Sequence, residues 1–122
     1  RSSAASDVYK RQAVLSLSAV VSMHASADSK IDAGKAAVAK FNCASCHGAD
    51  FKTPIDPAYP ILAGQHKDYL KHALVSYKRG NKASNGRSNP IMEPLAKQLS
   101  SQDIENIAAY LHSLPTNLVL RK

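Results

Sequence analysis

The segment Cys43-Ala44-Ser45-Cys46-His47 is the feature that most constrains this chain of 122 residues. Two thiols three positions apart lie on one helical turn, so both reach the vinyl groups along one edge of a porphyrin and add across them as thioethers. The next residue, His47, then lies under the ring and presents an imidazole nitrogen to iron. The pattern C-x-x-C-H therefore predicts one covalently attached haem.

Three other uses of two nearby cysteines are less well supported. A thioredoxin-like dithiol lies between a strand and a helix in an α/β fold, whereas Cys43 follows a helical pattern. A zinc site needs a second pair of ligands, and the chain has only two cysteines. A structural disulfide between residues this close would close a very small loop and stabilise little.

Apolar residues recur with helical spacing in three segments, which predicts helices over 30–42, 65–79 and 101–114. Gly34 lies on the apolar face of the first and indicates that another helix crosses close by. Ser100, followed by an acidic residue three positions on, is a good N-cap for the third. Long connections rich in proline separate these segments, and no alternating pattern indicates a β-sheet.

The composition restricts what the core of such a chain can contain. Hydrophobic residues make up 44% of the chain, but aromatic residues only 6%, with no tryptophan. A core of this kind is poor unless a large apolar group fills it. The sequence therefore predicts an all-α fold of a few short helices and long loops wrapped around one covalently bound haem.

Residues 1–27 are predicted to be the remnant of a secretory signal peptide. The apolar stretch 13–21 is too short to span a bilayer, and a small-x-small cleavage pattern follows it. Residues 1–12 resemble translated adapter sequence and are predicted to be non-native; the alternative is a genuine basic n-region, which Lys10 and Arg11 would provide. Cleavage near Asp28 would leave one domain, residues 28–122, in the periplasm, and a retained membrane anchor is the less favoured alternative.

The formal net charge of +7 favours acidic partners. The lysines are scattered singly along the chain and form no runs, which argues against nucleic-acid binding. Charge alone leaves open an acidic protein face, a membrane surface or a solvated basic surface with no single target. The predicted partners are redox proteins with acidic docking faces.

The iron ligand opposite His47 has four candidates: Met92, His66, His72 and His112. Met92 lies between Pro90 and Pro94, and two prolines stiffen the loop that would hold a weak thioether ligand. His66 and His72 lie off the apolar face of their predicted helix, and His112 neighbours the apolar face of the last helix and is expected to be partly exposed. Met92 is therefore the predicted second iron ligand.

In the order of its motifs the chain resembles the bacterial class I cytochromes c, nearest the mono-haem cytochrome c-553 type and the single domains of two-haem periplasmic cytochromes. The likeness covers almost all of residues 30–115. The matching residues are Gly34, Phe41, 43–48, 59–65, Tyr69, Leu70, 77–80 and 90–114. The family often continues Cys-His-Gly with an acidic residue and then Gly, whereas this chain has Ala49-Asp50-Phe51. We therefore expect a different turn after the attachment site.

The resemblance implies roles for further residues. Gly34 and Phe41 would pack near Tyr110, where the first and last helices cross. The carbonyl of Pro60 would accept a hydrogen bond from His47, and Leu62 would lie against the haem face. Candidates to meet the haem propionates are Gln65, Tyr69, Arg79 and Arg87.

The function implied is a one-electron carrier, with no substrate turnover, whose iron is held by His47 and Met92 and cycles between Fe(II) and Fe(III). Its partners would be a membrane oxidase, a reductase complex or a periplasmic dehydrogenase. Two alternatives remain open. One is an electron-entry subunit of a dehydrogenase, and the other is a haem enzyme or gas sensor, if Met92 does not bind the iron.

Overall fold

The computed structural model describes residues 26–119, and these residues form five helices. Helix α1 covers residues 26–40 of the described chain. The others are α2 (Ala44–His47), α3 (Lys67–Arg79), α4 (Met92–Lys97) and α5 (Ser101–Ser113). No strand occurs within residues 26–119, and the all-α prediction is confirmed.

The end of α1 lies two residues before the predicted position, for a local reason. Asn42 adopts a left-handed backbone conformation, with φ of 56°. The amides of Asn42 and Cys43 then donate to the carbonyls of Ala39 and Val38, at 3.2 and 3.0 Å. These two bonds form a Schellman motif, which satisfies the last carbonyls of a helix and turns the chain away from its axis. Asn is one of the few residues that tolerate this conformation.

Apolar periodicity predicts neither α2 nor α4, because both helices are too short to show it. Helix α2 is a single turn of four residues. Helix α4 has six residues and contains Pro94. Pro94 is the third residue of that helix, where the backbone N–H would have no intrahelical partner, so the proline is tolerated.

Helices α1 and α5 cross at Gly34. A Cβ atom at this position would lie 2.0 Å from the carbonyl oxygen of Asn106 and 2.6 Å from Cβ of Tyr110. Only glycine allows the two backbones to approach this closely, and the expected contact with Tyr110 is present. Phe41 is half-buried and packs against the core cluster, whose members are Ala37, Val38, Phe51, Ala63, Leu70, Leu99, Ile104, Ile107, Ala108 and Leu111.

Helix α3 packs against both α4 and α5, and these contacts place the loop between α3 and α4. An ion pair of 2.5 Å joins Lys71 of α3 to Glu105 of α5. The Lys78 ammonium donates a hydrogen bond to the carbonyl of Leu99, between α4 and α5. Helix α3 therefore connects the last two helices of the described chain.

The predicted signal-peptide segment lies almost wholly outside the described residues. Only its last two positions, 26 and 27, are described, and they belong to α1. Within residues 26–119 no helix has the length and apolar character needed to cross a bilayer.

Candidate functional site

The end of α1 and the single turn of α2 bring the three residues of the predicted attachment motif together. Cys43 is the N-cap of α2, and Cys46 and His47 lie within it. The amide of His47 donates to the carbonyl of Cys43 at 3.1 Å, which closes the turn. Both cysteines are free and half-buried, so two thiols lie on one turn directly before an imidazole.

The thiol of Cys43 lies in an apolar environment. Burial raises the pKa of Cys43 above the usual thiol value, because an apolar environment disfavours the thiolate. Cys43 also packs against the core cluster. Its thiol is therefore held in the protonated form on the inner side of the turn.

The imidazole of His47 is buried and fixed in orientation. Its side chain is only 7% exposed, and Nδ1 lies 3.1 Å from the carbonyl oxygen of Pro60, which is the contact that the resemblance implies. A carbonyl only accepts hydrogen bonds, so Nδ1 carries the proton and Nε2 keeps its lone pair for a metal. The ring of Tyr59 lies beside it, with centroids 6.3 Å apart and planes tilted by 45°.

The turn after His47 contains two residues with positive φ. Gly48 has φ of 87°, and Phe51 has φ of 56°. The Phe51 amide donates to the carbonyl of Gly48 at 3.1 Å. Phe51 is buried, and its ring meets that of Tyr110 edge-on at 6.3 Å. A large apolar side chain thus occupies a left-handed position and anchors the turn in the core.

Asp50 stabilises the residues that follow this turn. Its Oδ1 accepts hydrogen bonds from the amides of Lys52 and Thr53, at 2.8 and 3.0 Å. These bonds lower the pKa of Asp50, because they favour the charged carboxylate, and the bond from Lys52 contributes most. Asp50 therefore organises the loop after the attachment motif, because its carboxylate caps two backbone amides.

The segment from Pro60 to Gln65 is anchored at several points. The amides of Leu62 and Ala63 both donate to the carbonyl of Phe51 at 3.0 Å. Leu62 is half-buried and packs against the core cluster. The side-chain amide of Gln65 donates to the carbonyl of Ile61 at 3.2 Å. These contacts hold the Pro60 carbonyl in the position where His47 meets it.

Met92, the predicted second ligand, is the first residue of α4 and is half-buried. The side chain of Asn89 fixes its backbone, because Oδ1 accepts hydrogen bonds from the amides of Ile91 and Met92, each at 2.9 Å. This is an Asx-type cap on the free amides of a helix start. Asn89 was not singled out in the sequence, although an Asn just before a Pro is a known signal for a turn.

The three histidines considered as rivals are all exposed. Nδ1 of His112 lies 2.7 Å from the carbonyl of Gln65, so this ring joins α5 to the segment before α3. His66 is the N-cap of α3, and His72 lies within that helix. Met92 is more buried than any of them, as an iron ligand inside the fold would be.

Arg87 lies against two tyrosines of α3. Its guanidinium carbon is 5.8 Å from the ring centre of Tyr69 and 5.7 Å from that of Tyr77. The neighbouring hydroxyl of Tyr69 raises the pKa of Arg87 above its ordinary value, and that of Tyr77 does so to a smaller extent. Arg79 is exposed at the last turn of α3. Of the four propionate candidates, Tyr69 and Arg87 are therefore brought together.

The donor set fits a haem. Two free thiols, one orientated imidazole and one half-buried thioether are available, whereas no cluster of three His, Cys, Asp or Glu side chains suited to a metal occurs within the described part of the chain. Apolar side chains near Met92 in sequence, and on α3, remain exposed: Tyr69 is 50%, Ile91 44% and Leu95 39% accessible. A large apolar group would cover such surface, which suits a porphyrin better than a bare metal ion.

The fold and this arrangement of residues define a haem-binding class of small helical proteins. The family model of cytochrome c matches residues 31–115, and the chain belongs to the cytochrome c family. Membership implies covalently bound haem c with iron, and it supports a role in carrying electrons.

Three relatives show the extent of the similarity. Cytochrome c-554(548) of Halomonas halodenitrificans is 39% identical over 71 residues, which are 58% of this chain and 82% of that protein. Cytochrome c-554(547) of Halothiobacillus neapolitanus is 37% identical over 92 residues, 67% of this chain and 99% of that protein. The thiosulfate dehydrogenase electron acceptor of Stutzerimonas stutzeri is 38% identical over 82 residues, 67% of this chain but only 36% of that protein. The chain therefore covers most or nearly all of two of these relatives but only about a third of the other.

Proposed function

We propose that this protein is a one-electron carrier of a periplasmic respiratory or oxidative chain. The observation that carries the proposal is the single turn in which Cys43, Cys46 and His47 meet, with Nδ1 of His47 held by Pro60 at 3.1 Å. A bound haem supplies iron that gains and loses one electron. Membership of the cytochrome c family supports this reading.

Each residue of the site has a role in this proposal. Cys43 and Cys46 would hold the porphyrin as thioethers, and His47 and Met92 are the residues that would bind its iron. The thioether favours Fe(II) and raises the reduction potential. Leu62 would lie against the haem, and Gln65, Tyr69, Arg79 and Arg87 are the candidates to meet the propionates. With His47 and Met92 both bound to the iron, the protein would exchange electrons without binding a substrate there.

The ferric spectrum of the purified holoprotein tests the ligand assignment. We expect a low-spin spectrum with the weak red band of a ferric thioether ligand. Met92→Ala should keep the haem, because Cys43 and Cys46 hold it covalently, but should lose that band. Its potential should fall by about 0.1 V or more, a fraction of the ~0.8 V range that axial ligands span.

Substitution of each rival histidine provides the control for that variant. Replacement of His66, His72 or His112 by Ala should leave the ferric spectrum unchanged, since all three are exposed. If one of these variants, rather than Met92→Ala, opens the iron, the assignment of Met92 is wrong. A wild-type protein that is high-spin would instead support the haem enzyme or gas sensor.

The partners that we propose are redox proteins with acidic docking faces, such as a membrane oxidase, a reductase complex or a periplasmic dehydrogenase. The net charge supports this choice, because it is +7 for the whole chain and still +5 without residues 1–27. Electron transfer to such a partner should slow as ionic strength rises from 10 to 200 mM or so, because salt screens the attraction. A rate independent of salt would contradict an acidic docking face.

A second candidate function is a subunit through which electrons enter from a dehydrogenase. The name of the Stutzerimonas relative, an electron acceptor of thiosulfate dehydrogenase, favours it. Purification from the native cell distinguishes the two functions. A free carrier elutes alone, whereas a subunit co-purifies with a dehydrogenase at constant stoichiometry.

We also propose that residues 1–27 are removed during export and that the mature domain starts near Asp28. The apolar stretch 13–21 and the small residues after it support this proposal. Mass spectrometry of periplasmic protein should give a start near Asp28 and the added mass of one haem. A mature chain that retains 14–21 would indicate a membrane anchor instead.

A further inference from the structure

The loop between α3 and α4 is fastened to α3 through Arg87. The amide of Arg87 donates to the carbonyl of Ser76 at 2.9 Å, and the amide of Gly80 donates to the same carbonyl at 3.1 Å. The guanidinium lies over the rings of Tyr69 and Tyr77, at 5.8 and 5.7 Å. Arg87 thus contacts α3 with both its backbone and its side chain.

Close packing at Gly80 supports the same fastening. A Cβ atom at Gly86 would lie 1.7 Å from the carbonyl oxygen of Gly80, and a Cβ atom at Gly80 would lie 2.5 Å from a carboxylate oxygen of Glu93. The loop therefore folds back on its own start, and the first turn of α4 closes over that start. The segment around Gly86 has little room to shift without breaking these contacts.

The fastened loop leads directly to the proposed iron ligand. Only Ser88 separates Arg87 from Asn89, whose side chain caps the amide of Met92 at 2.9 Å. A thioether is a weak iron ligand, so its retention depends on the chain that carries it. Any movement of Arg87 away from α3 would be passed to Asn89 and then to Met92.

We propose that Arg87 is a positioning residue which latches this loop to Tyr69 and Tyr77 and so determines how readily Met92 leaves the iron for an added ligand. This inference rests on the proposed function, because it takes Met92 as the iron ligand. It differs from a propionate contact, since the latch acts on the loop and the propionate contact acts on the haem. Arg suits the latch because its planar guanidinium stacks on aromatic faces.

Imidazole binding to the ferric holoprotein tests the latch, because imidazole enters only when Met92 leaves. Arg87→Gln should bind imidazole about tenfold faster and tighter, the factor that corresponds to two exposed cation–π contacts. Tyr77→Leu should show a smaller increase in the same direction. Because both substitutions break the same contact, their effects should not add in the double variant.

Lys82→Gln is the matched control, because Lys82 is an exposed cation in the same loop. It removes the same charge but no aromatic contact, so imidazole binding should stay at the wild-type rate. If Arg87→Gln also binds imidazole at the wild-type rate, or if Lys82→Gln accelerates it equally, the latch is overturned. A shift in potential with unchanged imidazole binding likewise overturns the latch and leaves a propionate contact as the role of Arg87.

The ferric spectrum of the wild-type protein distinguishes failure of the latch from failure of the proposed function. A spectrum without the thioether band removes Met92 as a ligand before any variant is made. If the band is present, Met92 is an iron ligand, and imidazole binding by Arg87→Gln then tests only the latch.

Discussion

The Nδ1 atom of His47 lies 3.1 Å from the carbonyl oxygen of Pro60. Because the carbonyl draws the proton, this hydrogen bond increases the electron density of the imidazole and would make Nε2 a stronger donor to a bound iron. A stronger donor would stabilise Fe(III) relative to Fe(II). The position of the Pro60 turn should therefore contribute to the reduction potential.

Replacement of Pro60 by Ala tests this relationship. The change frees the fixed φ angle of proline, so the carbonyl is held less firmly against His47. We expect the potential to rise by roughly a few tens of millivolts, since a neutral hydrogen bond contributes about 1 kcal/mol and 59 mV is about tenfold for one electron. Redox titration of the holoprotein measures it. Pro57→Ala, an exposed proline of the same loop, is the control, and equal potentials in both variants would contradict the role of Pro60.

The crossing of α1 and α5 leads to a prediction whose sign is unusual. Gly34→Ala in a free helix should stabilise by about 1 kcal/mol. At this crossing a Cβ would lie 2.0 Å from the Asn106 carbonyl oxygen and 2.6 Å from Cβ of Tyr110, neither of which moves easily. We expect Gly34→Ala to be destabilising by about 1–3 kcal/mol, as overpacked cores are. Urea unfolding of the holoprotein measures it.

The exposed residue Ala36 of α1 supplies the control for that variant. Ala36→Gly should cost about 1 kcal/mol from helix propensity alone. The difference between the two variants isolates the effect of the crossing. Stabilisation by Gly34→Ala would show that the helices separate at little cost.

The parts of the fold that sequence could predict are those with a local physical signal. Three features each follow from a particular residue type at a helix end or crossing. They are the capping box of Ser100 and Asp103, the end of α3 at Gly80 and the close crossing at Gly34. The hydrogen bond between His47 and Pro60 was expected from the resemblance to class I cytochromes c, and the structure contains it.

Other features depend on contacts that no sequence window contains. The approach of Arg87 to Tyr69 and Tyr77 joins residues that a Gly-containing loop brings back onto α3. Helix α4 is set by the Asn89 side chain rather than by apolar periodicity. The roles of these residues toward a haem stay predictions until the experiments above are done.

Phe51 combines a left-handed backbone with a buried ring, and two substitutions separate these effects. Its φ is 56° and its side chain is 3% exposed. Phe51→Ala should cost about 3–5 kcal/mol through the lost ring, and it keeps the backbone strain. Phe51→Gly loses the same ring but relieves about 1 kcal/mol of that strain. We therefore expect the Gly variant to be the more stable of the two in urea unfolding, the reverse of the order in a helix.

The capping box at the start of α5 predicts how stability changes in acid. The Ser100 amide donates to Oδ2 of Asp103 at 2.9 Å, and the Asp103 amide donates to the Ser100 hydroxyl at 3.0 Å. The bond from Ser100, helped by the charges of Lys40 and Lys78, lowers the pKa of Asp103. The native carboxylate therefore binds a proton less readily than the unfolded one. Its stabilisation is present above the unfolded pKa, about 4, and is lost as pH falls through the lower native value.

Asp103→Asn removes this titration. At pH 7 we expect it to lower the free energy of unfolding by up to about 1 kcal/mol, the scale of a helix cap. The gap between variant and wild type should narrow as pH falls below about 4. Urea unfolding of the holoprotein from pH 7 to pH 3 measures the gap, with Asp32→Asn, an exposed carboxylate of α1, as control. A gap that stays constant across this range would mean that the charge of Asp103 contributes nothing to the start of α5.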